Sequence, residues 1–315
     1  MIFDTHADIL TDISQCRKIG MKNIFKNRHL ENLKNGKVKA GIFVIWIDPY
    51  TVDDTREEMI QTLKYVSCEV LESKELFKII KNKDDFKADT DEKQIQMIMG
   101  VEGLKCIGGD LEFLELLYMY GVRHVSLTWN EANELATGVD GNKDRGLTTL
   151  GEEAIKKLES LNIIVDVSHA NEKTFWDIIE ISKKPVIASH SNCKTICDHK
   201  RNLTDNQIKA IGQNGGFIGV NIHKNFVSKH KELQNIDTLI NHIDHIVKLI
   251  GINHIGFGFD FCEYLDEGEN TNIKGLINVS KVQDIIVSLK RRGYSENDIE
   301  KISYKNFEDI INKLL

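Results

Sequence analysis

Met1-Ile2-Phe3-Asp4-Thr5-His6-Ala7-Asp8 opens the chain as a short apolar run that delivers a histidine and an aspartate two residues apart. On an extended segment, side chains at i and i+2 point to the same side, so His6 and Asp8 can converge on one object. A divalent metal suits both groups. Taken alone, the pair is equally compatible with a capped turn or a solvated strand end. What decides between these is whether further ligand-type residues stand at comparable places along the chain.

Downstream, seven more apolar runs have strand length: residues 41–47, 95–102, 124–129, 163–169, 185–190, 216–222 and 254–260. Pro185 fits a strand's first position, where no ladder donor is needed. Helical patterns lie between them. Met59, Leu63, Val66, Val70 and Leu71 recur at three- and four-residue steps within 53–73, behind the start signals Asp53, Asp54 and Thr55. Further helices are expected near 27–35, 111–120, 150–161, 172–182, from Thr204 or Asp205, and over 236–250, with two more near 279–292 and 295–314. Strands alternating with helices imply a parallel sheet. Eight such strands are the number a closed (β/α)8 TIM barrel needs, here an α/β fold with extra C-terminal helices. At 315 residues, with no internal linker, the chain reads as one barrel domain over 1–315.

Composition narrows the function classes. Hydrophobic residues make up 41% and charged residues 28%, ordinary for a globular protein with a sizeable core. The net charge is −7, from 41 Lys+Arg against 48 Asp+Glu, and no basic stripe stands out. Nucleic acid is therefore not an expected partner. Neither a signal-peptide pattern nor an apolar run of spanning length is present, so a cytoplasmic protein without membrane contact is expected. The cysteines, Cys16, Cys68, Cys106, Cys193, Cys197 and Cys262, show no CxxC pairing and read as reduced thiols. Cys193 and Cys197 lie near Asp198 and His199 and leave two readings open, a small metal site or two free thiols.

The strand ends carry the chemistry. His6 and Asp8 follow the first strand, Glu102 the third, His169 the fifth, His190 the sixth and Asp260 the eighth. In such barrels the C-terminal strand ends form the active face, so six ligand-type residues collect at one end. Zinc takes imidazole and carboxylate together, other divalent metals being an option, and a glutamate bridging two ions accounts for six ligands in one centre. Such a centre generates hydroxide near neutral pH and polarises the bond attacked. By strand parity His169 shares a face with Val165 and Val167, and His190 with Val186 and Ala188, which sets both into the barrel. Asp260 falls on the face of Gly256 and Gly258, which leaves room around it, while Asp166 is expected to point at the helices. The long segment 130–149 reads as a functional or a disordered loop. His242 and His245, three apart on a helix, are open to reading as a ligand pair or a solvated face.

Several motifs together carry a resemblance: Asp4-Thr-His-Ala-Asp8, Gly100-Val-Glu-Gly103, Leu127-Thr-Trp-Asn130, Gly141-Asn-Lys-Asp-Arg-Gly-Leu147, Asp166-Val-Ser-His169, Ser189-His-Ser191, Lys200-Arg-Asn202 and Gly256-Phe-Gly-Phe-Asp260. In this order, from residue 1 to Lys305-Asn-Phe307, they resemble the membrane dipeptidase (renal dipeptidase) family of zinc peptidases, which have the metallo-dependent hydrolase type of barrel. The resemblance implies two zinc ions per chain. His6 and Asp8 would hold the first, His169 and His190 the second, and Glu102 would bridge them. Asp260 would bind or approach the first ion and shuttle a proton to the leaving amine. Arg201 would take the carboxylate of a small dipeptide substrate, with Trp129 and Asn130 beside it, and a homodimer is implied. Two departures stand out. Family members carry a histidine where this chain has Trp129, and tryptophan offers only an indole N–H donor. An Asp-Phe-Asp-Gly segment is here Asp260-Phe-Cys262-Glu263. The expected function is dipeptide hydrolysis. Open alternatives are another amide, a D-amino-acid dipeptide or a lactone as substrate, or a binder without turnover.

Overall fold

The computed structural model describes residues 1–88, 94–265 and 270–315. Nine parallel strands occur among them: β1 (Ile2–Ala7), β2 (Val38–Trp46), β3 (Phe77–Ile79), β4 (Ile95–Glu102), β5 (Val122–Ser126), β6 (Ile164–Asp166), β7 (Ile187–Ala188), β8 (Phe217–Val220) and β9 (Ile255–Phe257). Eight close into a barrel in the order β1-β2-β4-β5-β6-β7-β8-β9, with β9 returning to β1 at Asp4↔Phe257. β3 is an addition to the eight expected. It pairs with Ile95–Met97 at the start of β4, while β5 takes up β4 from Met99 onward.

Helices follow the strands and are started by the residues that favour caps. Asp54 accepts hydrogen bonds from the backbone N–H of Arg56 and Glu57 at the head of Thr55–Glu72. Thr148 caps Thr149–Ser160, and Thr204 forms a capping box with Gln207 at the head of Asp205–Gln213. The expected last helix is continuous but changes pitch. Glu296–Glu300 passes through a π-helical turn at Lys301–Lys305 into Asn306–Leu314. Among the described residues no helix is long and apolar enough to cross a membrane.

The barrel interior has an apolar lower half. Phe3, Ile42, Ile98, Ile164, Ile187 and Phe217 meet there, and the final helix closes that end with Phe307, Ile310, Ile311 and Leu314. The Phe307 ring lies 4.5 Å from Phe3 and 5.1 Å from Phe217, centroid to centroid.

This packing corrects the parity expected for two strands. Ile164 and Ile187 face inward, whereas Val165, Val167, Val186 and Ala188 belong to the outer apolar layer with helix residues such as Leu158, Phe175 and Ile178. Alternation therefore sends Asp166 into the barrel, not toward the helices. His169 and His190 reach the interior for a different reason. β6 ends at Asp166 and β7 at Ala188, so both histidines lie beyond the regular strands, where the chain turns. A related irregularity aims His6. Between Asp4↔Gly41 and Ala7↔Phe43, β1 advances three residues while β2 advances two. A bulge of this kind re-aims a side chain, and here Phe3, Thr5 and His6 all serve the interior.

Candidate metal centre

Above the apolar half, the six expected ligands converge. His6 Nε2 lies 3.4 Å from Glu102 Oε1 and 3.9 Å from both Asp8 Oδ2 and Asp260 Oδ1. On the other side of Glu102, His169 Nε2 is 2.9 Å and His190 Nε2 3.5 Å from the same Oε1 atom. The His169 and His190 Nε2 atoms are 2.9 Å apart, and the His6 and His190 rings lie 3.7 Å apart between centroids. Two ligand-sized groups result, His6–Glu102–His190 and His6–Asp8–Asp260.

The residues fit divalent metal. His6 Nε2 and Glu102 Oε1 are buried without a hydrogen-bond partner, although four ligand-type side chains surround them. A buried polar atom left unpaired costs free energy, and a cation among carboxylate oxygens and imidazole nitrogens removes that cost. The far edges of the rings are fixed, as metal-bound histidines require. His169 Nδ1 lies 2.9 Å from Asn130 Oδ1, and His190 Nδ1 lies 2.8 Å from Ser189 Oγ.

Electrostatics point the same way. Burial and the neighbouring Glu102 and Asp260 charges push Asp8 well above the carboxylate range. Burial, then Glu102, takes Asp260 up to about 7, and Glu102 itself is raised by burial. Burial lowers His6 to about 4 and takes His169 and His190 well below their ordinary value. Carboxylates crowded against neutral imidazoles disfavour their own charge until positive charge joins them.

Asp260 is held in an unusual posture. Its φ of +60° is left-handed, rare for aspartate, and its Oδ2 accepts a hydrogen bond from Asn221 Nδ2 at 2.8 Å. Gly256 and Gly258 do not leave the open room expected beside it. A Cβ at Gly258 would stand 1.7 Å from the Ser189 carbonyl oxygen and 2.8 Å from Thr5 Oγ1. Glycine is needed because three strands approach closely there.

Beside the cluster opens a cavity of about 490 Å3 lined by Asp8, Glu102, His169 and Asp260 on one wall and by Trp129, Arg201 and Phe226 on others. Arg201 is buried, not a surface residue, and neither terminal guanidinium nitrogen has a hydrogen-bond partner. Trp129 packs 5.0 Å from Trp46 and 5.8 Å from Tyr50, ring to ring, which makes an apolar wall. Asn130 lines the cavity too, but its amide oxygen is engaged by His169. Cys262 also lines it, with Sγ 3.6 Å from Asp260 Oδ1 and 3.9 Å from Asp8 Oδ2, so it stands among the carboxylates instead of filling apolar space.

The other clusters considered in the sequence resolve into structural roles. Cys193 Sγ donates to the His242 carbonyl and Cys197 Sγ to that of Asn225, so the two thiols do not converge. His242 is fully buried between Cys193 N and the Val227 carbonyl, and His245 pairs with Asp205; the two do not form a ligand pair. Sequence reasoning missed Ser189, Asn221 and the role of Asp166. Asp166 and Ser189 lie inside quoted motifs, and the inward parity of Ile164 and Ile187 was the available signal.

The model of the membrane dipeptidase family, peptidase family M19, matches residues 1–314. A protein named as an uncharacterised dipeptidase of Schizosaccharomyces pombe is 31% identical over 94% of this chain and 76% of its own length. Among solved structures, a metallo peptidase from Rhodobacter sphaeroides liganded with a phosphinate mimic of the dipeptide L-Ala-D-Ala superposes with a TM-score of 0.87 at 22% identity, covering 100% of this chain and 99% of that one. A second, the dipeptidase AC of the same family, gives 0.87 at 24% identity, covering 99% and 98%.

Proposed function

The chain belongs to the membrane dipeptidase family and is a metallo-dipeptidase, and we propose that it hydrolyses dipeptides at a binuclear zinc centre. His6 and Asp8 would hold one ion, which Asp260 would bind or approach, and His169 and His190 the other, with Glu102 between them. Two divalent ions there would supply an activated water and polarise the scissile carbonyl. The chain's own residues do the rest. Asn221 occupies Asp260 Oδ2, which leaves Oδ1, on the His6 side, to take a proton and return it to the leaving amine.

The observation that carries the substrate class is Arg201. A buried guanidinium with two unpaired nitrogens in the wall of the same cavity asks for a bidentate anionic partner, and a dipeptide's C-terminal carboxylate provides one. The dipeptide mimic bound by the Rhodobacter sphaeroides metallo peptidase supports a substrate of this size. Trp129 favours a second possibility at the same centre, a D-amino-acid dipeptide, other amide or lactone. An indole N–H packed against Trp46 replaces the histidine of the resembling family. Six unpaired thiols suit the reducing cytoplasm, where we place the protein, as a homodimer.

Turnover on L,L- and L,D-dipeptides, each also as its C-terminal amide, tests this. We expect hydrolysis of free dipeptides and a loss of about 100-fold in kcat/KM for the amides, about 2.7 kcal/mol. Equal rates on amides would overturn the role of Arg201, and hydrolysis of lactones alone would favour the second substrate class.

A further inference from the structure

Asp166 is a buried acid that the proposed mechanism does not use. Its Oδ1 accepts from Ser168 N (2.9 Å), Ser168 Oγ (2.6 Å) and Ser189 N (3.0 Å). Its Oδ2 accepts from Ser189 Oγ (2.5 Å) and pairs with His124 Nε2 at 3.0 Å. Burial alone would raise this carboxyl, but the hydrogen bonds from His124, Ser168 and Ser189 hold it below the usual range. With four donors of Ser168 and Ser189 converging on its two oxygens, it acts as an acceptor only.

That fixes where one proton goes. A serine hydroxyl has a single hydrogen, and Ser189 commits it to Asp166. What remains on Ser189 Oγ is lone pairs, which face His190 Nδ1 at 2.8 Å and His6 Nδ1 at 3.4 Å. Both rings must then donate from Nδ1, and both Nε2 atoms become bare electron pairs. Those are the atoms turned toward Glu102 Oε1. The third ring, His169, is handled separately by the Asn130 carbonyl oxygen. Ser168 adds a further tie, since its Oγ accepts from the backbone N–H of His190 at 3.2 Å.

We propose that the Asp166–Ser189 pair is a positioning device that sets the tautomers of His6 and His190 together, so that one hydroxyl prepares a ligand for each of the two metal positions. This rests on the reading of the cluster as a metal centre. It follows that the two positions are coupled through Ser189, whereas Asn130 serves one position only. Asp166→Asn is the sharpest perturbation. With the amide nitrogen in place of Oδ2, the side chain donates to Ser189 Oγ, and the hydroxyl hydrogen is released toward an imidazole Nδ1. That ring must then carry its own proton on Nε2, where a metal would bind.

The test uses the full chain labelled with 15N-histidine, observed by NMR before and after zinc addition, together with zinc affinity by chelator competition. In metal-free wild type, His6 and His190 are expected as Nδ1–H tautomers. Asp166→Asn should show a new Nε2–H ring and lose about 10- to 100-fold in zinc affinity. Ser189→Ala should weaken both zinc equivalents, and Asn130→Ala only one. A merely structural role would lower stability without redistributing tautomers. An Nε2–H tautomer at His6 or His190 in the wild type overturns the proposal, and so does wild-type zinc affinity with unchanged tautomers in both variants. A wild type with both Nδ1–H tautomers that binds no zinc would overturn the metal reading and leave the tautomer assignment standing.

Discussion

The two ends of this barrel are made by the same eight strands and hold opposite contents. At the lower end, Phe3, Phe217 and Phe307 pack in an apolar core that the last helix seals. Each such side chain contributes roughly 1.5–3 kcal/mol through burial. At the upper end the same closed sheet surrounds three imidazoles and three carboxylates with orphaned atoms among them, an arrangement that opposes folding until positive charge arrives. Within the barrel, apolar burial lies below and the ligand-type residues above. The bulge in β1 between Asp4 and Ala7, the early ends of β6 and β7 and the left-handed Asp260 lie at the upper end, although β1 also shifts register below, between Ile2 and Phe3.

The division can be broken from either side. Asp260→Asn at the upper end should lower kcat by up to about 10⁴-fold with metal content nearly unchanged, as read by steady-state kinetics and elemental analysis. A fully active variant would remove Asp260 from proton transfer. Phe307→Ala at the lower end should cost about 3–5 kcal/mol in urea denaturation while kcat per folded molecule stays at the wild-type value. A change in kcat without loss of stability would mean that the two ends are not separate. Arg201→Lys keeps the charge and loses the fork. It should raise KM for dipeptides about 10- to 100-fold with kcat little changed, the signature of lost uniform binding.

A smaller effect follows from pH. Burial, and for Asp260 also Glu102, raises Asp260 to about 7 and Asp4 to about 8. In the folded state each keeps a proton that the unfolded chain has released, so stability falls as pH rises from the ordinary value of 3.8 through the folded one. His6 acts in the opposite sense, but its term lies between about 4 and its ordinary 6.5. Among the groups of the cluster only the carboxyls act above pH 6.5. Thermal melts of metal-free protein from pH 6.5 to 8 should show stability falling by up to about 1.4 kcal/mol per pH unit for each group. Zinc should flatten the share due to Asp260. Stability rising over this range would contradict the crowding of carboxyls.

Legibility in the sequence followed the same division. The alternation of apolar runs and helical patterns was enough for the barrel, because burial on both faces of a parallel strand leaves a continuous apolar signature. The six ligand-type residues that converge were legible as residue types at strand ends. The way each side chain turns inward was not. Parity works only while a strand is regular, and it failed at Val165 and Val186, whose strands stop before the histidines. Ser189 and Asn221 are ordinary polar residues whose importance lies in partners 183 and 39 positions away, which no local pattern encodes. β3 escaped notice because three residues, Phe77–Ile79, carry too little periodicity to separate from the helix before them.

The central claim is that the upper end is a two-metal hydrolytic centre. Its most direct test is to titrate chelator-treated protein with zinc and to follow bound metal and dipeptide turnover in the same samples. Two equivalents should bind per chain, with activity absent before zinc and complete only when both positions are filled. Full turnover in protein stripped of metal, or no stoichiometric binding in a folded chain, would contradict the account.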